Sequence, residues 1–494
     1  MMKRNAVSAS IPRMRFLPIF VLAFSAAVFA EDAGALLSGY LENDIQLKKY
    51  SVTAESKSLA LSSAKIDAGV SVSLSTGNVR VYASGKKTKI TASPSVGVSV
   101  PSASALDVSA KLPVTVEDGG RTFSDGTVSA TVGILSGSAL KKKVSVLEAE
   151  RALLEARRDV RMRAYSAEKE FYESLKSLYG RVVSVLDSRS DLYDDESDLR
   201  VLSAQGYSRS SASFRRKSLE VEEDRRNVGE KERVLVRETA IFARKCGAAF
   251  GQDGAKPTFD DVLAFLPSSV PEQDAEDVFS RDRSLYAESE EARWRQFIGG
   301  LSRKAEPDMT LSVSGEYKMN DSFYGGNSDS AGGSLSFSWR GVSAGAGVFV
   351  PTGRTVLGAD SESGGKNEPY CVLSLSLSPD EWRLAGISRR QDELSARLES
   401  LGVDSADDGY DSAVLDAATS LADAKWKKKA RHEEYLTNKS LESDMKQWLR
   451  QGSVTEKDYL DAKNSCEQAR FNELVSDVEL LIVNDKIRLM FVEE

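Results

Sequence analysis

Two aspartates, Asp458 and Asp461, follow Gly452 by six and nine residues in the stretch QGSVTEKDYLDA. Three residues apart on a helix, they share one face. Several copies of such a pair crowded into a narrow passage would attract cations, repel anions, hold divalent ions and raise one another's pKa values. A plainer reading stands beside this one. Ser453 and Glu456 fit the pattern of a capping box, and acids in the first turns of a helix are favoured by its dipole. No other group of residues composes a reactive centre. The one histidine, His432, lies in the charged run KWKKKARHEEY and reads as part of a solvated helix face. Cys246, Cys371 and Cys466 are odd in number and lack any CxxC or metal-ligand spacing, so they read as isolated thiols. There is no nucleophile elbow and no phosphate-cradling glycine loop. The chain is therefore expected to be no enzyme and to carry no cofactor or metal. A net charge of −8 lacks the basic footprint that nucleic acid demands.

The elements that must position the aspartates are long helices. There is no proline between Pro113 and Pro257 and none after Pro379, and both stretches are rich in Ala, Leu, Glu, Lys and Arg. In the first, Phe171, Leu175, Leu178, Val182 and Val185 alternate at spacings of four and three. Leu394, Leu398 and Leu401 do so in the second, and later Phe471, Leu474, Val478 and Leu481. This alternation is a coiled-coil seam. Each long helix is expected to cover roughly 70 residues, about 100 Å at 1.5 Å per residue.

Upstream of each long helix the period changes to two. TVSATVGI sets Val128, Ala130, Val132 and Ile134 against Ser129, Thr131 and Gly133, and VLSLSLSP sets Leu373, Leu375 and Leu377 against three serines. GVSVSLS and MTLSVSG repeat the pattern. These are strands with one apolar and one small polar face, which fits a membrane β-barrel wall. The Gly/Ser/Asp-rich segments SASALDVSAKLPVTVEDGGRTFSDG and NDSFYGGNSDSAGG are expected to be exposed loops at the strand ends. Residues 1–30 read as a signal peptide: a basic start, the apolar run FLPIFVLAFSAAVFA, and small Val28 and Ala30 at the cleavage position. The run is too short to span a bilayer as a helix, and no later segment is as apolar.

The chain is also duplicated. Val128 corresponds to Leu373 and Gly206 to Gly452, at offsets of 245 and 246 residues. The organisation is a first repeat over 31–246, a connector over 247–278 packed outside the helical bundle, and a second repeat over 279–494. Each repeat reads as helix, β-hairpin, long helix, glycine turn and return helix. In the first repeat Ala212 and Arg215 stand where Asp458 and Asp461 stand in the second. The adjoining FRRKS, Phe214 to Ser218, is a basic turn, a solvated face or a surface for another protein.

A signal peptide, this duplicated unit, the opening helix LLSGYLENDIQLKKYS with Asn43, and a glycine turn before each return helix together resemble the TolC-type outer-membrane efflux proteins. The resemblance implies a mainly helical fold with a β-barrel portion. Each chain would give two hairpins to a 12-stranded outer-membrane barrel shared by a homotrimer. The helices would form a periplasmic tunnel that meets a periplasmic adaptor and an inner-membrane transporter. It also implies turn glycines at Gly206 and Gly452 and a gate at Asp458 and Asp461. The family's tyrosine and arginine latch is not carried over, because Leu449 and Val454 occupy those positions. The alternative is a periplasmic or surface coiled-coil scaffold or adhesin with no conducting role.

Overall fold

The computed structural model describes residues 32–492 apart from 85–86, 101–104, 118–119, 124–125, 136, 252–255, 274–280, 307–308, 320, 323–325, 328–329 and 353–368. The expected signal peptide lies outside the described residues. The first half holds α1 (Ala33–Asn43), α2 (Ile45–Ala68), β1 (Ser71–Ser75), β2 (Arg80–Ser84), β3 (Lys87–Ala92), β4 (Ser95–Val100), β5 (Leu106–Lys111), β6 (Val114–Glu117), β7 (Gly120–Phe123), β8 (Gly126–Leu135), α3 (Ser138–Ala204) and α4 (Ala212–Cys246). After α5 (Phe259–Phe265) and a 3-10 turn at Arg283–Leu285, the second half holds α6 (Ala287–Ala305), β9 (Met309–Met319), β10 (Asp321–Ser322), β11 (Gly326–Asn327) and β12 (Ser330–Trp339). It ends with β13 (Val342–Pro351), β14 (Tyr370–Leu377), α7 (Pro379–Gln451) and α8 (Glu456–Met490). The long helices, α3 and α7, run 67 and 73 residues.

One antiparallel sheet contains eight strands in the order β1-β4-β5-β8-β9-β12-β13-β14. Each half therefore gives four strands to it, two hairpins where one was expected. The extra strands come from segments not read as strands above: β4 and β5 in the first half, and β12 and β13 in the second, where β12 opens on the SAGG expected to be loop. SVGVSV becomes β4 and pairs with β1, while LDVSAK, assigned above to a loop, becomes β5 between β4 and β8. RVYAS and KTKITA form instead β2 and β3 of a separate sheet, order β2-β3-β6-β7. The halves join where β8 pairs with β9.

The register produces two unlike faces. Val132, Val313, Leu335, Ala346 and Leu373 stand in one cross-strand row, and Leu311, Phe337, Ala344 and Leu375 in another. On the opposite face the hydroxyls of Ser312 and Ser336 lie 2.5 Å apart, those of Ser314 and Ser334 2.6 Å, and those of Ser109 and Ser129 2.8 Å. Small hydroxyl side chains thus satisfy one another across strands, with no charge on that face needed to do it.

Below the sheet, the largest core forms where Phe171, Leu175, Leu178, Val182 and Val185 of α3 meet Phe471, Leu474, Val478 and Leu481 of α8. Both seams read from the sequence are buried there. The connector is not wholly external: Phe259, Val262 and Phe265 of α5 enter this core, and the Tyr179 hydroxyl donates to the Pro267 carbonyl at 2.8 Å. Hydrophobic side chains on a seven-residue helix find cover only by reaching into a neighbour, so α5 packs inward. The third seam behaves differently. Leu394, Leu398 and Leu401 of α7 are all exposed.

Candidate functional site at the helical tips

Both glycine turns use the same device. Gly452 has φ +72°, its N–H donates to the Leu449 carbonyl at 3.0 Å, and the Ser453 N–H donates to the Trp448 carbonyl at 2.9 Å. Gly206 has φ +84°, with bonds from Gly206 to Ser203 at 3.1 Å and from Tyr207 to Leu202 at 3.2 Å. These are Schellman motifs, which need a residue in the left-handed region. A Cβ at either glycine would meet nothing within 4 Å. The glycines are required by φ, then, and not by crowding.

Helix α8 opens with a capping box, but not at Ser453 and Glu456. Thr455 is the cap: its hydroxyl accepts from the Asp458 N–H at 3.2 Å, and the Asp458 carboxylate accepts from the Thr455 N–H at 2.8 Å and its hydroxyl at 2.7 Å. Ser453 also fits the cap pattern, but its N–H closes the Schellman turn and the helix starts beyond it. The hydroxyl and N–H of Thr455 hold the exposed Asp458 carboxyl below the usual aspartate range.

Asp461 has the opposite surroundings. It is half-buried and lines a groove of about 220 Å³ between α3 and α8, with Arg189, Tyr193, Asn464 and Glu467. Burial pushes its carboxyl up, and the nearby charge of Asp194 adds to the shift. The two acids therefore differ in environment. One folds back on its own cap, and the other turns toward the neighbouring helix.

The third acid came from a segment read only as helix. The run DLYDDESD lies near the end of α3, before its last residues LRVLSA, and its Asp194 pairs with Lys457 at 2.7 Å, joining α3 to the start of α8. Beside it Lys217 meets Asp195 at 2.7 Å, Asp198 at 3.3 Å and Glu220 at 3.3 Å. Lys217 belongs to FRRKS, so that basic turn is partly spent on α3. An acidic run near the end of one long helix, opposite a basic run opening the next, was the available signal. Among the described residues no group of three or more His, Cys, Asp or Glu could hold a metal ion, and no helix is long and apolar enough to cross a membrane. No disulfide joins the three cysteines, and burial pushes the Cys466 thiol up to about 11.

Residues 36–270 match the TP096X N-terminal domain, and residues 271–494 match the TP096X C-terminal domain. The chain is a tandem of the two TP096X domains. The TP096X boundary falls inside the segment 247–278 read as a connector. A comparison with curated proteins returned no match. Among solved structures, the TP096X tandem is similar to the CmeC outer membrane channel of Campylobacter jejuni, at 11% identity and a TM-score of 0.45, over 99% of this chain and 95% of that one. It is similar to the outer membrane protein VceC of Vibrio cholerae at 11% identity and a TM-score of 0.46, over 93% and 97%. For the outer-membrane channel OprN the values are 12% identity, a TM-score of 0.46, and 93% and 89%.

Proposed function

We propose that this protein is a protomer of an outer-membrane channel-tunnel, a passive exit duct of a tripartite efflux or type I secretion system. It works as a homotrimer, meets a periplasmic adaptor and an inner-membrane transporter through its helical tips, and is no enzyme. One observation carries the reading. Strands β8, β9, β12 and β13 run 10, 11, 10 and 10 residues, the length a tilted strand needs to cross a bilayer. β8, β12, β13 and β14 hold no charged residue, and their apolar rows stand exposed on one face while serine hydroxyls line the other. A soluble scaffold has no use for an exposed apolar sheet face of this extent. Helices about 100 Å long descend from that sheet, as a tunnel crossing the periplasm would.

The gate belongs to the same proposal. Three copies bring Asp458, Asp461 and Asp194 to the tips as rings of carboxylates, which favour cations over anions. The test is single-channel recording in a planar bilayer, with the wild type and the Asp458→Asn/Asp461→Asn variant. Cation-selective currents whose divalent block is lost in the variant are expected. Unchanged currents would return both acids to helix capping and leave the channel standing. A folded protein that never enters a bilayer would overturn the channel.

A further inference from the structure

Three strands of the large sheet are too short to cross a membrane alone. β1, β4 and β5 have 5, 6 and 6 residues, where a tilted strand needs about 9 to 11. At the end away from the helices, each meets a strand of the small sheet: β2 follows β1, β3 precedes β4, and β6 follows β5.

The small sheet continues the large one in register. Ser95 of β4 stands opposite Lys111 of β5, and beyond them Ala92 of β3 stands opposite Val114 of β6. Both strands advance by the same number of positions, so no residue is gained or lost on the way. Between these pairs the Leu112 N–H donates to the Pro94 carbonyl at 3.0 Å. The ladder is interrupted because Pro94 and Pro113 have no N–H to give. β10 and β11 prolong β9 and β12 in the same way, with Ser330 opposite Lys318 and Asn327 opposite Asp321. Between β1 and β2 one extra residue enters near Gly77, whose φ is +64° and where a Cβ would meet the Ser93 carbonyl oxygen at 2.2 Å. That bulge brings Val81 opposite Ile90.

The apolar face crosses the break as well. Leu106, Val108, Ala110, Leu112, Val114 and Val116 occupy every second position from β5 into β6, and Ile90 and Ala92 stand opposite the last two. Val81 and Ile90 are 61% and 38% exposed. Tyr82, Lys89 and Glu117 form a row on the other face, where the Lys89 and Glu117 side chains pair at 3.7 Å.

The strand ends show why the first half reaches further. Counted along the register from β14 to β1, the ends near the helices climb about five positions, from Leu377 to Ser71, and the far ends climb about ten, from Tyr370 to Ser84. At about 3.3 Å per residue and about 4.8 Å per strand, such a climb is a strand tilt of about 35°. A membrane plane cuts a wall of this tilt obliquely to its rows. Strands near β1 must therefore extend further along the register to stay level with those near β14.

We propose that the small sheet lies inside the membrane, and that Val81, Ile90, Ala92, Val114 and Val116 contact lipid acyl chains as the outer part of one oblique apolar band. The assignment rests on the channel reading above. From Leu106 to Val116 the band runs about 33 Å along the strand and about 27 Å across the membrane at that tilt, against about 25 Å for the apolar band of such barrels. Without the small sheet it would end at Ala110, after about 11 Å. Arg121 of β7 is the next register partner in the row of Val81, Ile90 and Val116. The tilt carries that row up to the membrane rim at β7, the level at which an arginine meets headgroups.

Fluorescence quenching tests the assignment in the full chain carrying Cys371→Ser, the other native cysteines being buried. Val81→Cys and Ile90→Cys report the apolar face, Tyr82→Cys and Thr91→Cys the polar face, and Leu335→Cys the centre of the large sheet. Each is labelled with a fluorophore, reconstituted in vesicles, and read with lipid bearing a nitroxide on its acyl chain and with aqueous iodide. Nitroxide lipid is expected to remove emission at Val81 and Ile90 as it does at Leu335, and iodide to remove it at Tyr82 and Thr91. Two positions on each face keep the outcome readable if one label disturbs its strand. Iodide quenching at Val81 and Ile90, with lipid quenching kept at Leu335, would make the small sheet an outer head and overturn the assignment while sparing the channel. Iodide quenching at Leu335 as well would overturn both.

Discussion

Asp458 and Asp461 stand three positions apart, yet their pKa shifts run in opposite directions. The Asp458 pKa is lowered on folding, by the hydroxyl and N–H of Thr455. Its contribution to stability is present above the ordinary aspartate range and is lost as pH falls through the lowered value. The Asp461 pKa is raised, by burial and then by Asp194. The folded tip binds that proton more tightly than the unfolded chain, so ionised Asp461 costs stability at neutral pH, and the cost fades as pH falls through the raised value. Thr455→Ala should therefore destabilise the tip by about 1 kcal/mol at neutral pH, and by less in acid. Asp461→Asn should stabilise it at neutral pH only. Amide hydrogen exchange across Gln451 to Ala462 reads both, and faster exchange in Asp461→Asn at neutral pH would contradict the assignment.

At the scale of elements, the strands were legible because period two is a backbone property. Val128 to Val132 and Leu373 to Leu377 alternate in the structure as they do in the sequence, and a bulge between Gly133 and Leu135 breaks the pattern at Ile134. Strand number was not legible, because LDVSAK carries Asp107 and Lys111 and reads as a polar loop until Val108 is set opposite Ala130. Sheet faces lead to a direct prediction. Leu335→Arg places a charge in the central apolar row and should cost about 2–4 kcal/mol on insertion. Ser336→Arg, on the hydroxyl face, should insert normally. Heat-modifiable mobility of the membrane-extracted protein distinguishes the two.

At the scale of the whole molecule, neither TP096X domain owns its core. Phe171 and Leu175 belong to the first domain and Leu474 and Val478 to the second, yet they form one buried cluster. Arg151 and Arg158 of α3 both reach Glu290 of α6, the latter at 3.1 Å, and β8–β9 pairing crosses the same boundary. Expressed separately, 32–270 and 271–492 should each lack a cooperative thermal transition, and co-expression should restore one. Circular dichroism melts check this. A sharp transition from either half alone would show that the shared core is dispensable.

Local chemistry and repetition by themselves determined the long helices, the alternating strands, the duplication and the glycine turns. Each follows from short-range backbone preference or from a spacing visible along the chain. Tertiary structure decided which seams were filled. Phe171 to Val185 and Leu394 to Leu401 obey the same spacing rule, but only the first finds a partner within the chain. It also decided that Thr455 and not Ser453 caps α8, that LDVSAK joins the main sheet, and that Asp461 turns toward α3. Such outcomes depend on what lies across a gap between segments distant in sequence, and periodicity along one segment carries no information about its neighbour.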